Sequence, residues 1–304
     1  MRFRGVFSVL ATPFTTDCEV DIQSLERLID LFITAGVHGF TALGVTSEVS
    51  RLNEQERSSV LEAVAAHVNG RVAVIAGATA DGTRACIQYS RQALAVHASA
   101  VMVSPPRLPK LNSDAVVAHY KALANAVDIP IVIQDYPPIS GYAMEPSLLA
   151  RIAREIPSAR TIKLEDPPTP LKTERILAQC EDVTVDILGG LGGVYLFEEL
   201  LAGASGVMTG FAYPEMLVEV VSRFWSGDLA AAADAFYRYV PLMRFEFQEV
   251  IGMAVRKEVL RRRGVLVDAA IRLPGGTLDE STRSALDSVL TWMRDRQGVR
   301  WISV

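Results

Sequence analysis

The sequence predicts an α/β fold, namely a (β/α)8 TIM barrel with a C-terminal helical region. Short apolar runs alternate with longer amphipathic runs eight times, and no further strand pattern follows them. Continuous apolar strands are typical of a parallel sheet that is buried on both faces. We therefore expect the barrel in residues 1–225 and the helical region in residues 226–304. A doubly wound open sheet is the alternative, and it would need fewer strands and a topological switch point.

The eight predicted strands are short and mostly apolar. In chain order they lie in the segments GVFSVLATPF, HGFTALG, RVAVIAG, SAVMVSPP, IPIVIQDYPP, ARTIKLE, DVTVDILGG and ASGVMTG. Eight strands of this kind, each followed by a helical pattern, indicate a closed barrel.

Helix signals follow each of these strands. Asp21 can cap the first helix, whose apolar residues recur at helical spacing. Asn53 and Glu56 form the pattern of a capping box at the start of the second helix. The next helices begin near Thr83 and Ser113, and later ones lie in EPSLLARIAREI, TPLKTERILAQ and GVYLFEELLAG.

Three further helices are predicted after the last strand. They lie around Leu229 to Val240, Glu246 to Arg263 and Glu280 to Arg294. Since no strand pattern separates them, we expect them to form the C-terminal helical region packed on the barrel.

Composition and charge narrow the possible partners. The 304 residues carry a net charge of −5, and half of them are hydrophobic. A nucleic-acid partner is not expected, because no basic stripe is available to neutralise phosphates. The one basic cluster, RKEVLRRRG, is interpreted as a solvated helix end.

Cysteines, histidines and the N-terminal segment indicate where the protein acts. The three cysteines are scattered without zinc or disulfide spacing, and the four histidines share no ligand spacing. The apolar run near the N-terminus is short and is interrupted by Pro13. We therefore predict a cytoplasmic protein with no membrane association, no metal site and no cofactor.

One lysine stands out by its position. Lys163 lies in the sixth predicted strand, whereas Lys121, Lys172 and Lys257 fall on predicted helices and Lys110 falls in a loop, where we expect solvated side chains. A strand lysine could simply snorkel to the strand end or pair with an acid. Alternatively, burial lowers the pKa of the amine, which can then attack a carbonyl carbon to form a Schiff base.

A second candidate feature is the loop GVTSE after the second strand. Gly44 permits a tight turn, Thr46 and Ser47 offer hydroxyl and amide donors, and Glu48 can anchor the loop. Such a loop can hold a carboxylate. Turns rich in serine and threonine also commonly satisfy only their own polar groups.

Taken together, these segments resemble a known family. GVFSVLATPFTTD, GVTSE, TIK, GASGVMTG and VRKEVLRRRG occur in the order found in the dihydrodipicolinate synthase / N-acetylneuraminate lyase superfamily. The resemblance implies a class I lyase that acts on a 2-oxo acid and assembles as a homotetramer or homodimer. It also implies that Lys163 forms the Schiff base, and that Thr46 and the Ser47 amide hold the substrate carboxylate.

Several positions depart from the pattern of the synthases. Where the synthases have a G-T-T-G-E motif, this chain has Val45 in place of the first threonine and Ser47 in place of the second glycine. Gln134 stands where the proton-carrying tyrosine occurs, and Ile139 stands where an arginine grips the second substrate. The T-P-Y-Y motif is replaced by S-P-P-R, so the other relay tyrosine is also missing. A lysine-biosynthetic synthase is therefore not the favoured interpretation.

The segments IQDYP, KLE and GASGVMTGFAYPE are more similar to the 2-keto-3-deoxy-L-arabonate dehydratase branch. We therefore predict dehydration of a 2-keto-3-deoxy sugar acid. A pyruvate-dependent aldolase, a dihydrodipicolinate synthase-type condensation and a catalytically inactive binding protein remain alternatives.

Further candidate site residues lie at or just after the ends of predicted strands. Glu165 lies two residues after Lys163, on the same strand face, and Asp135 and Tyr136 follow the fifth strand. These three are candidate catalytic groups and Gln134 is a candidate substrate-binding group, although acids at strand ends more commonly form ion pairs. Gly189, in the glycine-rich LGGLGG, could allow the backbone to approach the substrate or could simply permit a tight turn.

Overall fold

The computed structural model describes residues 2–299 and contains a closed barrel of eight parallel strands. The strands are β1 (Gly5–Val9), β2 (Gly39–Ala42), β3 (Ala73–Gly77), β4 (Ala100–Val103), β5 (Ile131–Asp135), β6 (Thr161–Leu164), β7 (Asp186–Gly189) and β8 (Gly206–Thr209). Each strand pairs with its neighbours in sequence, and β8 closes the barrel against β1. The predicted fold class is confirmed.

Helices surround this barrel. They are α1 (Ile22–Thr34), α2 (Glu54–Val68), α3 (Thr83–Ala95), α4 (Ser113–Ala126), α5 (Pro137–Ser140), α6 (Pro146–Glu155), α7 (Thr169–Gln179), α8 (Leu196–Leu201), α9 (Pro214–Trp225), α10 (Leu229–Glu246), α11 (Gly252–Arg262) and α12 (Glu280–Arg296). The predicted helix from Glu246 to Arg263 starts too early, because α10 continues to Glu246 and α11 begins only at Gly252. Residues 1 and 300–304 of the predicted ranges lie outside the described residues.

The predicted helix starts are present as side-chain caps. The Asp21 carboxylate accepts a hydrogen bond from Ser24 N at 3.0 Å. Asn53 Oδ1 accepts from Glu56 N, and Glu56 Oε2 accepts from Asn53 N, both at 2.9 Å. These bonds satisfy amides that have no partner within the helix, so each helix begins at a defined residue.

Two hydrophobic cores hold the fold together. The smaller core fills the barrel interior and contains Phe3, Phe7, Val9, Ile75, Ala100, Met102, Val132, Leu188 and Met208. The larger core lies between the strands and the helices. Because side chains alternate across a strand, each strand contributes to both. The interior is therefore packed with apolar groups, and polar side chains can collect where the strands end.

The C-terminal helices share the larger core with the barrel. Phe236 of α10, Val255 of α11 and Leu290 of α12 belong to the same cluster as Val6 of β1 and Val207 of β8. Residues after α9 are thus packed onto the barrel and can contribute groups to its C-terminal end. None of the helices in residues 2–299 combines the length and the apolar character that a membrane span needs.

Candidate active site

The candidate site is built around Lys163, which points into the barrel. Its strand neighbours Ile162 and Leu164 belong to the larger core outside the barrel. Alternation therefore directs Lys163 towards the interior. The residue is only 4% exposed, so its amine is largely removed from water. The predicted placement of this lysine in a strand is confirmed.

A chain of buried polar side chains continues from this amine. Lys163 Nζ lies 3.1 Å from Glu165 Oε2, and the same oxygen accepts a hydrogen bond from Gln134 Nε2 at 2.7 Å. Gln134 is paired in register with Lys163, so both side chains point to the same side of the sheet. The Ser104 hydroxyl donates to Gln134 Oε1 at 3.0 Å. The amide of Gln134 therefore fixes the orientation of the Glu165 carboxylate beside the amine.

Tyr136 lies two residues after Gln134 in the sequence and is half-buried just after β5. Burial raises the pKa of its phenol, and the negative charges of Glu165 and Glu249 raise that pKa further. The phenol therefore keeps its proton at neutral pH and can act as a hydrogen-bond or proton donor near Glu165.

Asp135 is not part of the group around Lys163. Its Oδ2 lies 2.6 Å from Nζ of Lys172 on α7, which also lies 2.6 Å from Asp166 Oδ2. Asp135 is adjacent to Gln134 in the strand, so its carboxylate points to the helix layer. Burial raises its pKa to about 6, although the Lys172 charge opposes that shift. Lys172 was expected to be solvated, and this expectation was wrong, since its side chain is 11% exposed.

The loop after β2 is tied firmly to the end of β1. Ser47 Oγ donates to Leu10 O at 2.5 Å and accepts from Gly44 N at 3.1 Å. The Ser47 amide donates to Gly44 O at 3.0 Å within a short 3-10 turn, so this predicted carboxylate donor already has a partner. Thr46 is half-buried, and among residues 2–299 its hydroxyl makes no hydrogen bond. The Thr46 hydroxyl is thus the side-chain donor that remains for a ligand.

Glu48 anchors the same loop through a buried ion pair. Its Oε1 lies 2.5 Å from Lys257 Nζ on α11, and its Oε2 accepts from Arg51 Nη1 at 2.8 Å. Burial lowers the pKa of Lys257 to about 8. The interpretation of RKEVLRRRG as a solvated helix end was therefore wrong for its first three residues, because Arg256, Lys257 and Glu258 are all buried.

The glycine-rich segment after β7 faces two different acids. A methyl group built on Gly189 would lie 1.7 Å from Glu199 Oε2, on the helix side of the sheet. One built on Gly190 would lie 2.3 Å from Glu165 Cγ. Gly190, rather than the predicted Gly189, therefore leaves the space that the Glu165 side chain occupies. Burial raises the pKa of Glu199 to about 8, and Thr169 Oγ1 donates to it at 2.5 Å.

A cavity of about 250 Å³ opens at the ends of β2 to β5. Its lining comprises Leu43, Gly44, Val45, Val49, Ser50, Arg57, Gly77, Thr79, Met102, Gln134 and Ile139. The cavity thus joins the GVTSE loop to Gln134, at the end of the barrel where active sites of this fold lie. Most of its lining is apolar, which suits a small substrate with few charged groups.

Sequence reasoning missed several polar groups. Ser104 was noted only as a departure from a motif, and Arg256 and Glu199 were not singled out. The serine could have been found, since it follows β4 as Gln134 ends β5. The burial of Arg256 had no signal in the sequence, because it depends on how α11 docks against the barrel.

Comparison with known proteins shows which proteins this chain resembles. The sequence profile of the dihydrodipicolinate synthetase family matches residues 2–293. The chain is 30% identical over 306 aligned positions to L-2-keto-3-deoxyarabonate dehydratase of Azospirillum brasilense, with 99% of this chain and 97% of that protein covered. It is also 30% identical to 4-hydroxy-tetrahydrodipicolinate synthase of Methanothrix thermoacetophila, with 97% and 99% covered.

Solved structures show the same relationship. The dihydrodipicolinate synthase of Rhodopseudomonas palustris superposes with a TM-score of 0.90 at 32% identity, covering 95% of this chain and 97% of that one. A prophage protein of the same family from E. coli K12, solved in complex with pyruvate, has a TM-score of 0.90 at 25% identity, with 96% and 99% covered. Because the profile and these relatives span nearly the whole chain, the protein belongs to the dihydrodipicolinate synthetase family, whose members are lyases of the dehydratase or the synthase and aldolase type.

Proposed function

We propose that the protein is a Schiff-base-forming class I lyase that dehydrates a 2-keto-3-deoxy sugar acid through Lys163. The observation that carries this proposal is the buried chain in which Lys163 Nζ lies 3.1 Å from a Glu165 carboxylate held by Gln134. A nucleophilic lysine needs a neighbouring base and a fixed geometry, and this chain supplies both.

The first step is imine formation. The Lys163 ammonium passes a proton to Glu165, and the neutral amine attacks the C2 carbonyl carbon of the 2-oxo acid. Glu165 returns that proton to the hydroxyl of the resulting carbinolamine, which leaves as water and gives the protonated imine. The barrel interior below the lysine is apolar, so water is excluded from that side of the reacting centre.

The second step breaks the C3–H bond and the C4–O bond. The imine acidifies the C3 proton, the Glu165 carboxylate removes it, and the resulting enamine expels the C4 hydroxyl. That hydroxyl leaves as water after it accepts a proton from Glu165 or from the Tyr136 phenol. Hydrolysis of the conjugated imine then releases the product and restores the amine. Glu165 thus moves a proton from C3 to the leaving oxygen, and its hydrogen bond to Gln134 holds it in place for both transfers.

Two features favour dehydration. Gln134 stands where synthases have the proton-carrying tyrosine, Ile139 stands where they have the arginine that grips the second substrate, and both line the cavity here. The relative from Azospirillum brasilense is named a dehydratase and is matched over nearly its whole length. The Lys163 imine itself acidifies the C3 proton, so the proposed reaction uses no metal or cofactor.

Aldol cleavage is the second candidate, because it uses the same imine and breaks C3–C4 to release pyruvate and an aldehyde. It is supported by the pyruvate-bound relative of the same fold. Product assays on 2-keto-3-deoxy-pentonates and -hexonates distinguish the two reactions. Dehydration releases no pyruvate, so stoichiometric pyruvate would overturn our proposal in favour of the aldolase.

The imine itself has a direct test. Borohydride reduction in the presence of pyruvate or a longer 2-oxo acid is expected to leave a stable adduct on Lys163, read by peptide mass spectrometry. Lys121, an exposed lysine on α4, provides the internal control in the same digest. An unmodified Lys163 at saturating 2-oxo acid would indicate a catalytically inactive binding protein of this fold.

A further inference from the structure

Arg256 belongs to α11, yet its guanidinium reaches the end of β8. A methyl group built on Gly210 would lie 2.3 Å from Arg256 Nη1 and 3.1 Å from Thr46 Oγ1. The guanidinium and the hydroxyl therefore border the same small space. The missing side chain at Gly210 leaves room for the arginine. Thr46 is half-buried and Arg256 is buried, so this space lies at the edge of the protein interior.

The guanidinium has few partners for a buried charge. Arg256 is 5% exposed. Its Nε lies 3.3 Å from Glu246 Oε2, and its Nη1 lies 3.4 Å from the thioether sulfur of Met253. Among residues 2–299 it has no other hydrogen-bond partner, although a guanidinium carries five N–H donors. Burying a charge with unused donors is costly, so an additional anionic partner would stabilise it.

Glu246 neutralises the positive charge of Arg256 only in part. Its Oε2 is shared with the amide of Ala212, which donates to it at 3.1 Å. Burial raises the pKa of Glu246 to about 7, so part of the population is protonated at neutral pH. A planar guanidinium with spare N–H groups matches the two oxygens of a carboxylate.

We infer that Arg256 binds the carboxylate of the 2-oxo acid beside Thr46, the hydroxyl to which the family resemblance already assigns that carboxylate; this inference rests on the proposed function. The C-terminal region then supplies a substrate-binding residue to the barrel. A carboxylate placed between these two groups lies at the GVTSE loop, with its adjacent carbonyl carbon directed to the barrel interior. The competing explanation is that Arg256 serves only the stability of its pair with Glu246.

Borohydride trapping of Lys163 at increasing pyruvate concentration separates these explanations. Arg256→Met keeps the side-chain length and removes the donors, and it should raise the half-saturating pyruvate concentration about ten- to a hundredfold. The matched control is Arg263→Met, since Arg263 is also paired and its side chain is 10% exposed compared with 6% for Arg256. An unchanged half-saturation in Arg256→Met would overturn the inference.

Methyl pyruvate shows whether the effect concerns the carboxylate. This ester has the same ketone and no negative charge, so Arg256→Met should trap it as well as the wild type does. A second variant, Glu246→Gln, covers the case in which Arg256→Met does not fold. Removing the competing carboxylate should lower the half-saturating pyruvate concentration severalfold at pH 8, whereas a purely structural pair predicts no gain in affinity.

A different experimental result is expected if the proposed function is wrong and the Arg256 inference is right. If the wild type traps no 2-oxo acid, the Schiff-base proposal fails, and non-covalent binding then tests Arg256 by itself. Isothermal titration of Lys163→Met with pyruvate, with and without Arg256→Met, provides that measurement. Weaker binding in the double variant supports the carboxylate site, and equal or absent binding in both overturns it.

Discussion

Lys257 Nζ lies 2.5 Å from Glu48 Oε1, and neither side chain is exposed. This contact joins α11 to the loop that carries Thr46. Lys257 Nζ also donates to Ala270 O at 2.8 Å and lies 4.1 Å from the centroid of the Phe14 ring. Glu48 has a φ of 57°, a left-handed conformation that is uncommon for a residue with a side chain. The ion pair therefore holds the loop in a conformation that it would not readily keep by itself.

Lys257→Met should lower the free energy of unfolding by about 3–5 kcal/mol, because it leaves Glu48 Oε1 buried without its partner, and only Oε2 keeps one, in Arg51. Urea denaturation measures this change. Lys121→Met is the matched control, since Lys121 forms an ion pair of 2.6 Å with Glu155 at an exposed position, and it should change stability little. A loss in Lys257→Met no larger than that of the control would contradict the anchoring role.

Gln134→Met should lower kcat about ten- to a hundredfold with little change in KM, because Glu165 loses the donor that orients it. Steady-state dehydration of a 2-keto-3-deoxypentonate provides both constants. Ser104→Ala should have a smaller effect in the same direction, since it removes the hydroxyl that holds Gln134. If Gln134→Met instead raises KM at constant kcat, Gln134 binds the substrate and does not position the base.

Asp135→Asn should affect stability and leave kcat within about twofold, because Asp135 faces α7 and lies in contact with Lys172. We expect a loss of about 1–3 kcal/mol in unfolding free energy, measured by urea denaturation. Glu165→Gln is the comparison for catalysis, and it should abolish turnover while the fold remains. A large loss of kcat in Asp135→Asn would place that carboxylate in the reaction.

The pH dependence of the unfolding free energy should reveal the protonation of the buried Glu199 carboxyl. Burial raises the pKa of this carboxyl from 4.5 to about 8, so the native state retains a proton that the unfolded chain has lost between these values. The stability that this group contributes is present below pH 4.5 and is lost as the pH rises through 8. Denaturation of the wild type across this range should therefore show a decline that is smaller in Glu199→Gln, where Glu246 and Asp135, whose pKa values burial also raises, still contribute.

The exposed Glu174 of α7 provides the control for that experiment. Glu174→Gln should retain the wild-type decline. Parallel curves for wild type and Glu199→Gln would mean that Glu199 is not protonated in the folded protein.

Local sequence patterns were sufficient to predict much of the fold and the direction of the Lys163 side chain. Alternation of Ile162 and Leu164 with Lys163 is a property of any strand, and it directs the lysine away from the apolar layer between strand and helix. The same alternation could have excluded Asp135, because it is adjacent to the inward-facing Gln134. Glu165 was predicted correctly to share the face of Lys163, and its Oε2 lies 3.1 Å from the amine.

The order of strands and helices and the inward direction of Lys163 can be predicted from the sequence, since both depend on the spacing of apolar residues over short stretches of chain. The surroundings of Arg256 and Lys257 depend instead on tertiary packing. Gly210, which borders Arg256, and Glu48, which pairs with Lys257, lie far away in the sequence, and a helix end rich in arginine and lysine is normally solvated. Docking of α11 against the end of the barrel buries these charges beside the carboxylates of Glu246 and Glu48.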